Sequence, residues 1–453
     1  MIKRTLGEIA AMCGGITDSP DVLVAGVSID TRALAKGNLF VPLRGERVDG
    51  HDFVRQAREG GAAAALWSRQ QPAPRGIPLI FVEDTLQALQ RMAGAYRQQL
   101  TNVHVIGITG SNGKTSTKDM LASILAQRYR TRATAGNQNN EIGVPLTLLA
   151  LDHQTEWAVV EMGMSGRGEI GLLSRLAVPE LAIITNVGEA HLADLGSLEQ
   201  IAAAKLEILQ GLVPAGLLVL DGDSQLLQPA LAQRRCISFG FSKDNQVYAT
   251  TVAMSDIGMR FRINDAAAPE FGLPVFGRHQ VQNALAAIAA ARALSMSYGE
   301  IRRGLQSFQP TKQRGELLRI GNTTIINDTY KSNPAGLRAA LDVLCSLSGY
   351  GRRIAVLGDM RDLGAAEGSQ HTAIGRLLDP AKVHAVITVG NAARQIARVA
   401  ATRFPAGRVF AARDKEAALQ QLRRQLDTEP ALILIKGAHA LALQELVQAI
   451  REQ

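Results

Sequence analysis

The chain has 453 residues, more than one hydrophobic core ordinarily supports, so two or three domains are expected. Its composition, 46% hydrophobic and 20% charged, is that of an ordinary globular protein. The net charge of +8 raises the question of nucleic acid, but aromatics are only 4% and no basic run interleaves with them. A multiply anionic small substrate accounts for the charge as well, and no nucleic-acid partner is expected.

No apolar run reaches the roughly 18 residues a membrane span needs. The amino-terminal "MIKRTLGEIAAMCGG" breaks its short apolar run with Glu8, unlike a secretory signal, so the cytoplasm is the expected compartment. Cys13, Cys236 and Cys345 are scattered without CxxC spacing, which points to free thiols.

In chain order, the first hundred residues carry short β-type runs, "VAGVSID", "NLFVPL", "AAAALW" and "PLIFVED", between loops and helical stretches: a small α/β module. From about residue 101 to 312, "HVIGIT", "WAVVEM", "LAIITNV" and "GLLVL" alternate with helical segments, the pattern of a doubly wound parallel sheet. Its tail changes texture, since "QVYATTVAMSDIGMRFRI" alternates like antiparallel strands before the helix "QVQNALAAIAAARAL". After the linker "FQPTKQRGE", a third α/β block follows with strands "TTIIND", "RIAVLGD", "AVITVG" and "ALILIKG".

The most explicit chemistry lies in "VIGITGSNGKTSTKDM", residues 105–120. A strand runs into a glycine loop and the loop into a helix, so backbone N–H groups, the Lys114 ammonium and the Thr115 hydroxyl can surround a phosphate and its Mg²⁺. The longer phosphate loop would need Gly where Ile108 stands, so this is the short form G-x-x-G-K-T. A dinucleotide site would need an acidic residue about 20 positions on, and "YRTRATAGNQ" has none. An exposed glycine turn is the bland alternative. Glu161, ending "WAVVEMG", is either a Mg²⁺ ligand or a solvated strand end. His191, after "AIITNVGEA", is a metal ligand or a surface histidine. Lys205 lies in a helix opened by Ser197 and Gln200 at capping-box spacing, where a snorkelling surface lysine is the ordinary reading.

Taken together, "GITGSNGKTSTK", "GNQNNEIGVPLTLL", "VVEMGMSGRGEI", "ITNVGEAHL", "AAAKLEI", "GRHQVQNALAAIA", "NDTYKSNP" and "VLGDMRDLG" fall in the order seen in the ATP-dependent Mur ligases of peptidoglycan synthesis. The chain resembles that family over nearly its whole length. "SIDTRALAKGNLFVPLRGERVDGHDF" is similar to the UMP-muramyl-binding domains of the enzymes that add the third residue and the terminal dipeptide. "GNQNNEIGVPLTLL" and "NDTYKSNP" favour the dipeptide-adding branch, and the D-N-P-R motif of the third-residue branch is absent.

The resemblance implies an α/β protein of three domains: a small UDP-sugar-binding domain (1–100), a central phosphate-loop ATPase domain with a parallel sheet (101–312) and a Rossmann-like C-terminal domain (313–453). It implies an ADP-forming amide ligase that joins D-Ala-D-Ala to a UDP-N-acetylmuramoyl-tripeptide through an acyl phosphate, with ATP and Mg²⁺. Gly110, Ser111, Asn112, Gly113, Lys114, Thr115 and Ser116 would hold ATP together with Asn137, Asn283, Arg314, Asp328 and Asn333. Thr115 and Glu161 would hold one Mg²⁺ and His191 a second, with a carbamylated Lys205 facing the metal, and Lys114, Lys205 and His191 would serve the reaction. Ser28, Asp30, Thr31, Arg32, Gly45, Asp49, Gly50 and His51 would hold the UDP-sugar, with Lys331 and Lys436 also toward substrate; for Asp30 and Arg32 alone an ion pair is the default. Sites drawn from three domains imply hinge closure and an open form without ligands. A monomer is expected.

Several positions depart from the family pattern. Leu206 replaces a Gly, Gln280 an Asn, and Lys331 and Ser332 an Asn-Ala pair; "IKGAHALALQ" lacks the usual Ser-Arg. Acceptor recognition is affected more than ATP chemistry. Rival readings are the third-residue enzyme, a folylpolyglutamate synthetase, or a phosphate-loop NTPase that is no ligase.

Overall fold

The computed structural model describes residues 1–231, 234–426 and 429–452, which form two compact units. The first comprises Met1–Thr109, Arg128–Ile184 and Ala204–Leu218. Its amino-terminal part holds four short parallel strands in the order Val27–Ser28, Leu39–Phe40, Ala64–Ser68 and Leu79–Val82, one in each β-type run of that region. Phe40, Ala57, Trp67 and Leu79 close a small core over it.

Helix Thr85–Gln99, capped by Asp84 accepting from the Gln87 N–H, joins this part to a larger sheet. Tyr96 Oη donates to the Leu151 carbonyl and Arg97 Nε to that of Ala177, so polar groups buried on the helix are paired. The larger sheet runs Leu181–Ile184, His104–Thr109, Trp157–Glu161, Thr131–Ala133, all parallel. Trp157–Glu161 and Leu181–Ile184 are buried at every position, which is why these segments read as continuous apolar runs. Register sets Ile108 opposite Glu161 and Thr109 opposite Ile184, so the three strands end level at one rim.

The second unit comprises Gly110–Gln127, Thr185–Ala203 and Val219–Gln453. Val247–Ser255, Gly258–Ile263 and Phe271–Leu273 pair antiparallel where the sequence changes texture. The alanine-rich helix Arg278–Ala293 packs on helix Lys114–Leu125; its small side chains let the two approach closely. The carboxyl-terminal sheet runs Glu316–Ile320, Thr323–Asp328, Ala431–Lys436, Arg352–Gly358, Ala385–Val389, Val409–Ala412, the first pair antiparallel and the rest parallel. Helices Pro334–Ser346, Glu367–Leu377 and Arg394–Ala400 cover one face, Lys415–Gln425 and Gln444–Arg451 the other. The winding changes sides between Ala431–Lys436 and Arg352–Gly358. Sheets of this kind bind ligands at such a crevice.

Candidate active site

The glycine loop is shaped by what it touches. At Gly110 (φ +149°) an added Cβ would lie 1.9 Å from Thr185 Oγ1, and at Gly113 (φ +79°) 2.0 Å from Asn283 Oδ1. Both conformation and space therefore exclude a side chain at these positions. Gly113 precedes helix Lys114–Leu125 and offers no capping side chain, which leaves the first N–H groups to an anion. Residues 185–188 clamp the loop: Asn186 Oδ1 accepts from the Asn112 N–H at 2.9 Å, Thr185 Oγ1 donates to the Asn112 carbonyl at 2.6 Å, and Ser111 Oγ to that of Gly188 at 3.0 Å. Lys114 Nζ donates to the Gly110 carbonyl at 2.6 Å, which folds the ammonium back over the loop. Thr115 is buried on the first helical turn and Ser116 half-buried beside it.

Glu161 is 1% exposed, so it is no solvated strand end. Its N–H donates to Thr134 Oγ1 and its Oε1 accepts from Asn139 Nδ2 at 2.7 Å, while Oε2 is buried with no hydrogen-bond partner. A buried carboxylate oxygen left over in this way suits a hard cation. Sequence reasoning did not single out Asn139; Asn137, expected at the nucleotide, is exposed, and its carbonyl accepts from the Asn139 N–H. Lys205, on the last turn of helix Leu198–Leu206, is 1% exposed. The ordinary reading, a snorkelling surface lysine, is thereby excluded. The capping-box spacing ahead of it is realised in the Gln200 N–H donating to Ser197 Oγ.

Within the second unit the carboxyl-terminal sheet reaches the loop. Asn333 Nδ2 donates to Asn112 Oδ1 at 2.7 Å while its Oδ1 caps helix Pro334–Ser346 through the Gly336 N–H. Lys331 Nζ lies 3.4 Å from His191 Nε2, and His191 Nδ1 3.5 Å from Asp194 Oδ2. Lys436 Nζ donates to Asp328 Oδ2 at 2.6 Å and to the Lys331 carbonyl at 2.8 Å, so the two residues expected on separate ligands form one ion pair. The Arg314 guanidinium stacks 4.1 Å over the Tyr330 ring with its Nε buried and unpartnered. Gln280, the departure beside His279, accepts from Asn283 Nδ2 and so orients it.

Gln370 Nε2 also donates to Glu189 Oε1, and the Ala193 N–H to the Asp362 carbonyl, so several polar groups at the carboxyl-terminal sheet are satisfied by partners next to the loop. Two non-glycine residues with positive φ, His191 and Asp362, lie in these same segments. Each costs of order 1 kcal/mol, a cost that concentrates where function requires a set geometry.

In the amino-terminal part Arg32 Nε and Nη2 grip both oxygens of Asp30, and the guanidinium holds that carboxyl at about 2. The default ion pair is therefore present. Ser28 Oγ donates to the Asp30 carbonyl and Thr31 Oγ1 to Gln56 Oε1. The Gly45 N–H donates to the Val48 carbonyl in a tight turn, Asp49 accepts from the His51 N–H and lies 2.6 Å from His51 Nδ1, and the Gly50 N–H reaches Leu43. The His51 N–H is the main cause holding the Asp49 carboxyl below its usual range. The buried His51 stands edge-on to Trp67 at 4.7 Å.

A clamped phosphate loop at a helix N-terminus, contacted by the carboxyl-terminal sheet, marks a phosphate-loop nucleotide-binding protein of α/β type. Three family models match: the Mur ligase middle domain over residues 108–291, the Mur ligase glutamate ligase domain over 313–439 and the Mur ligase family catalytic domain over 23–97. The chain belongs to the Mur ligase family. It is 44% identical to the UDP-N-acetylmuramoyl-tripeptide--D-alanyl-D-alanine ligase of Bacillus subtilis, with 100% of this chain and 99% of the relative covered. The enzyme of the same name from Escherichia coli is 36% identical over the same shares. A crystal structure of MurF from Acinetobacter baumannii superposes with a TM-score of 0.90 at 31% identity, covering 100% of both chains.

Proposed function

We propose that this chain joins D-Ala-D-Ala to UDP-N-acetylmuramoyl-tripeptide with ATP, in the three-domain division 1–100, 101–312 and 313–453. A carboxylate does not react with an amine until one oxygen becomes a leaving group. The tripeptide carboxylate attacks the γ-phosphorus and ADP departs; the dipeptide amine then attacks the acyl carbon, phosphate departs and the amine loses a proton. Two anions must meet in the first step, so concentrated positive charge is the main requirement. Lys114 supplies it at the loop. Thr115 and Glu161 would hold Mg²⁺, which neutralises phosphate charge when bound. Asn333 and Asn283 steady the nucleotide loop, Asp328 and Lys436 stiffen the segment carrying Asn333, and Arg314 approaches the phosphates. Carbamylation of Lys205, which is 1% exposed, would turn a buried cation into an anion able to pair with a bound cation. Ser28, Asp30, Thr31, Arg32 and the Gly45–His51 turn hold the UDP-sugar.

The observation that carries this reading is the Asn333 to Asn112 contact, which brings the acceptor-side sheet onto the phosphate loop. The test is mass spectrometry of the product formed from ATP, D-Ala-D-Ala and UDP-N-acetylmuramoyl-tripeptide, alongside phosphate release. One pentapeptide per ADP is expected, with release depending on both the carboxylate and the amine. Phosphate release that ignores either substrate would make this a simple NTPase.

A further inference from the structure

Lys331 stands where the family motif has Asn, and its ammonium lies at the one histidine assigned to a second metal ion. His191 Nδ1 lies 3.5 Å from Asp194 Oδ2 and its Nε2 3.4 Å from Lys331 Nζ, so in the tautomer with the proton on Nδ1 the Nε2 lone pair faces the ammonium. A metal on that lone pair would bond at roughly 2.1 Å. An ammonium and a divalent ion cannot share such a position, because two unscreened positive charges would stand closer than any counter-ion could enter. Burial lowers the pKa of the Lys331 ammonium, while Asp362 and, more weakly, Asp194 favour its charge against the nearby Arg314.

We infer that Lys331 supplies the second positive charge at His191, so that this chain works with one divalent ion per active site instead of two. The inference rests on the ligase reading of the loop. A lysine serves this purpose because its charge is compact and its three donors sit on a flexible stem, able to follow oxygens whose positions change between carboxylate and acyl phosphate. His191, held in a left-handed conformation (φ +65°), and the Lys436 hydrogen bond to the Lys331 carbonyl fix the two ends of the contact.

The test is Mn²⁺ binding to the full chain, counted by electron paramagnetic resonance in the presence of a non-hydrolysable ATP analogue and UDP-muramyl tripeptide. Wild type should bind one Mn²⁺, and Lys331→Asn two, the second appearing while the affinity for the first is unchanged. That unchanged first site also shows the variant to be folded. In turnover, Lys331→Asn should lose at least about tenfold in rate at low free Mg²⁺ and recover it along a sigmoidal Mg²⁺ curve, where wild type is hyperbolic. Two ions in wild type would overturn the inference and leave the ligase reading standing, and so would one ion in both proteins. No nucleotide-dependent ion in wild type would remove the ligase site itself.

Discussion

Glu161 and Asn139 form the smallest unit of the site whose parts can be separated. The Asn139 amide holds one carboxylate oxygen and leaves the other bare, so removing the amide frees the side chain to rotate in its pocket. Asn139→Ala should cost about 2 kcal/mol of metal and transition-state binding, the usual worth of a hydrogen bond to a charged group, with a raised Mg²⁺ requirement and an unchanged melting temperature. A melting temperature that falls while the Mg²⁺ dependence stays put would mean that Asn139 only supports the loop. Lys114→Ala should lower the rate at least about a hundredfold, as expected when a charge contact to the transition state is lost, and leave folding intact. Steady-state kinetics beside circular dichroism would check both halves.

The loop acts as a piece rather than as seven residues. Gly113→Ala meets a left-handed φ and the Asn283 amide at once, so the phosphate-binding turn should open and nucleotide affinity fall below detection by calorimetry. Strand Leu217–Asp221 makes a different point. Its terminal Asp221 is 5% exposed, and burial lifts its carboxyl to about 7. Below the unfolded carboxyl range both states are protonated and the group is neutral toward stability. Between pH 4 and 7 the folded state retains the proton that the unfolded chain has lost, so stability falls as pH rises through this window, by about 1.4 kcal/mol for each unit of elevation. Asp221→Asn should therefore raise the melting temperature at pH 8 and not at pH 4, and a gain that is equal at both pH values would assign the effect to packing.

Asn333 joins the carboxyl-terminal sheet to the phosphate loop with one side chain, its oxygen capping a helix and its nitrogen reaching Asn112. Asn333→Asp keeps the cap, since Asp is as good an N-cap as Asn, but replaces the donor by a carboxylate aimed at the place where phosphates bind. The variant should fold normally and lose about tenfold or more in kcat/KM for ATP, with the loss larger at low ionic strength. Asn333→Ala, by contrast, should lose stability as well. Equal melting temperatures for the two variants would remove the helix cap from this account.

The amino-acid order alone determined what depends on local pattern: four short strands before residue 100, the buried runs of the parallel sheet, the antiparallel interruption and the strand, loop and helix around Lys114. Apolar periodicity and glycine spacing encode these directly, because each is a property of neighbours in sequence. The tertiary structure decided the rest. Whether Lys205 is a surface residue, which asparagine of "GNQNN" holds Glu161, that Asp328 spends its charge on Lys436 and that Lys331 comes to rest on His191 are all matters of burial and of partners up to 140 positions apart. Such pairings follow from how the strands are ordered in space, and no local rule of sequence carries that ordering.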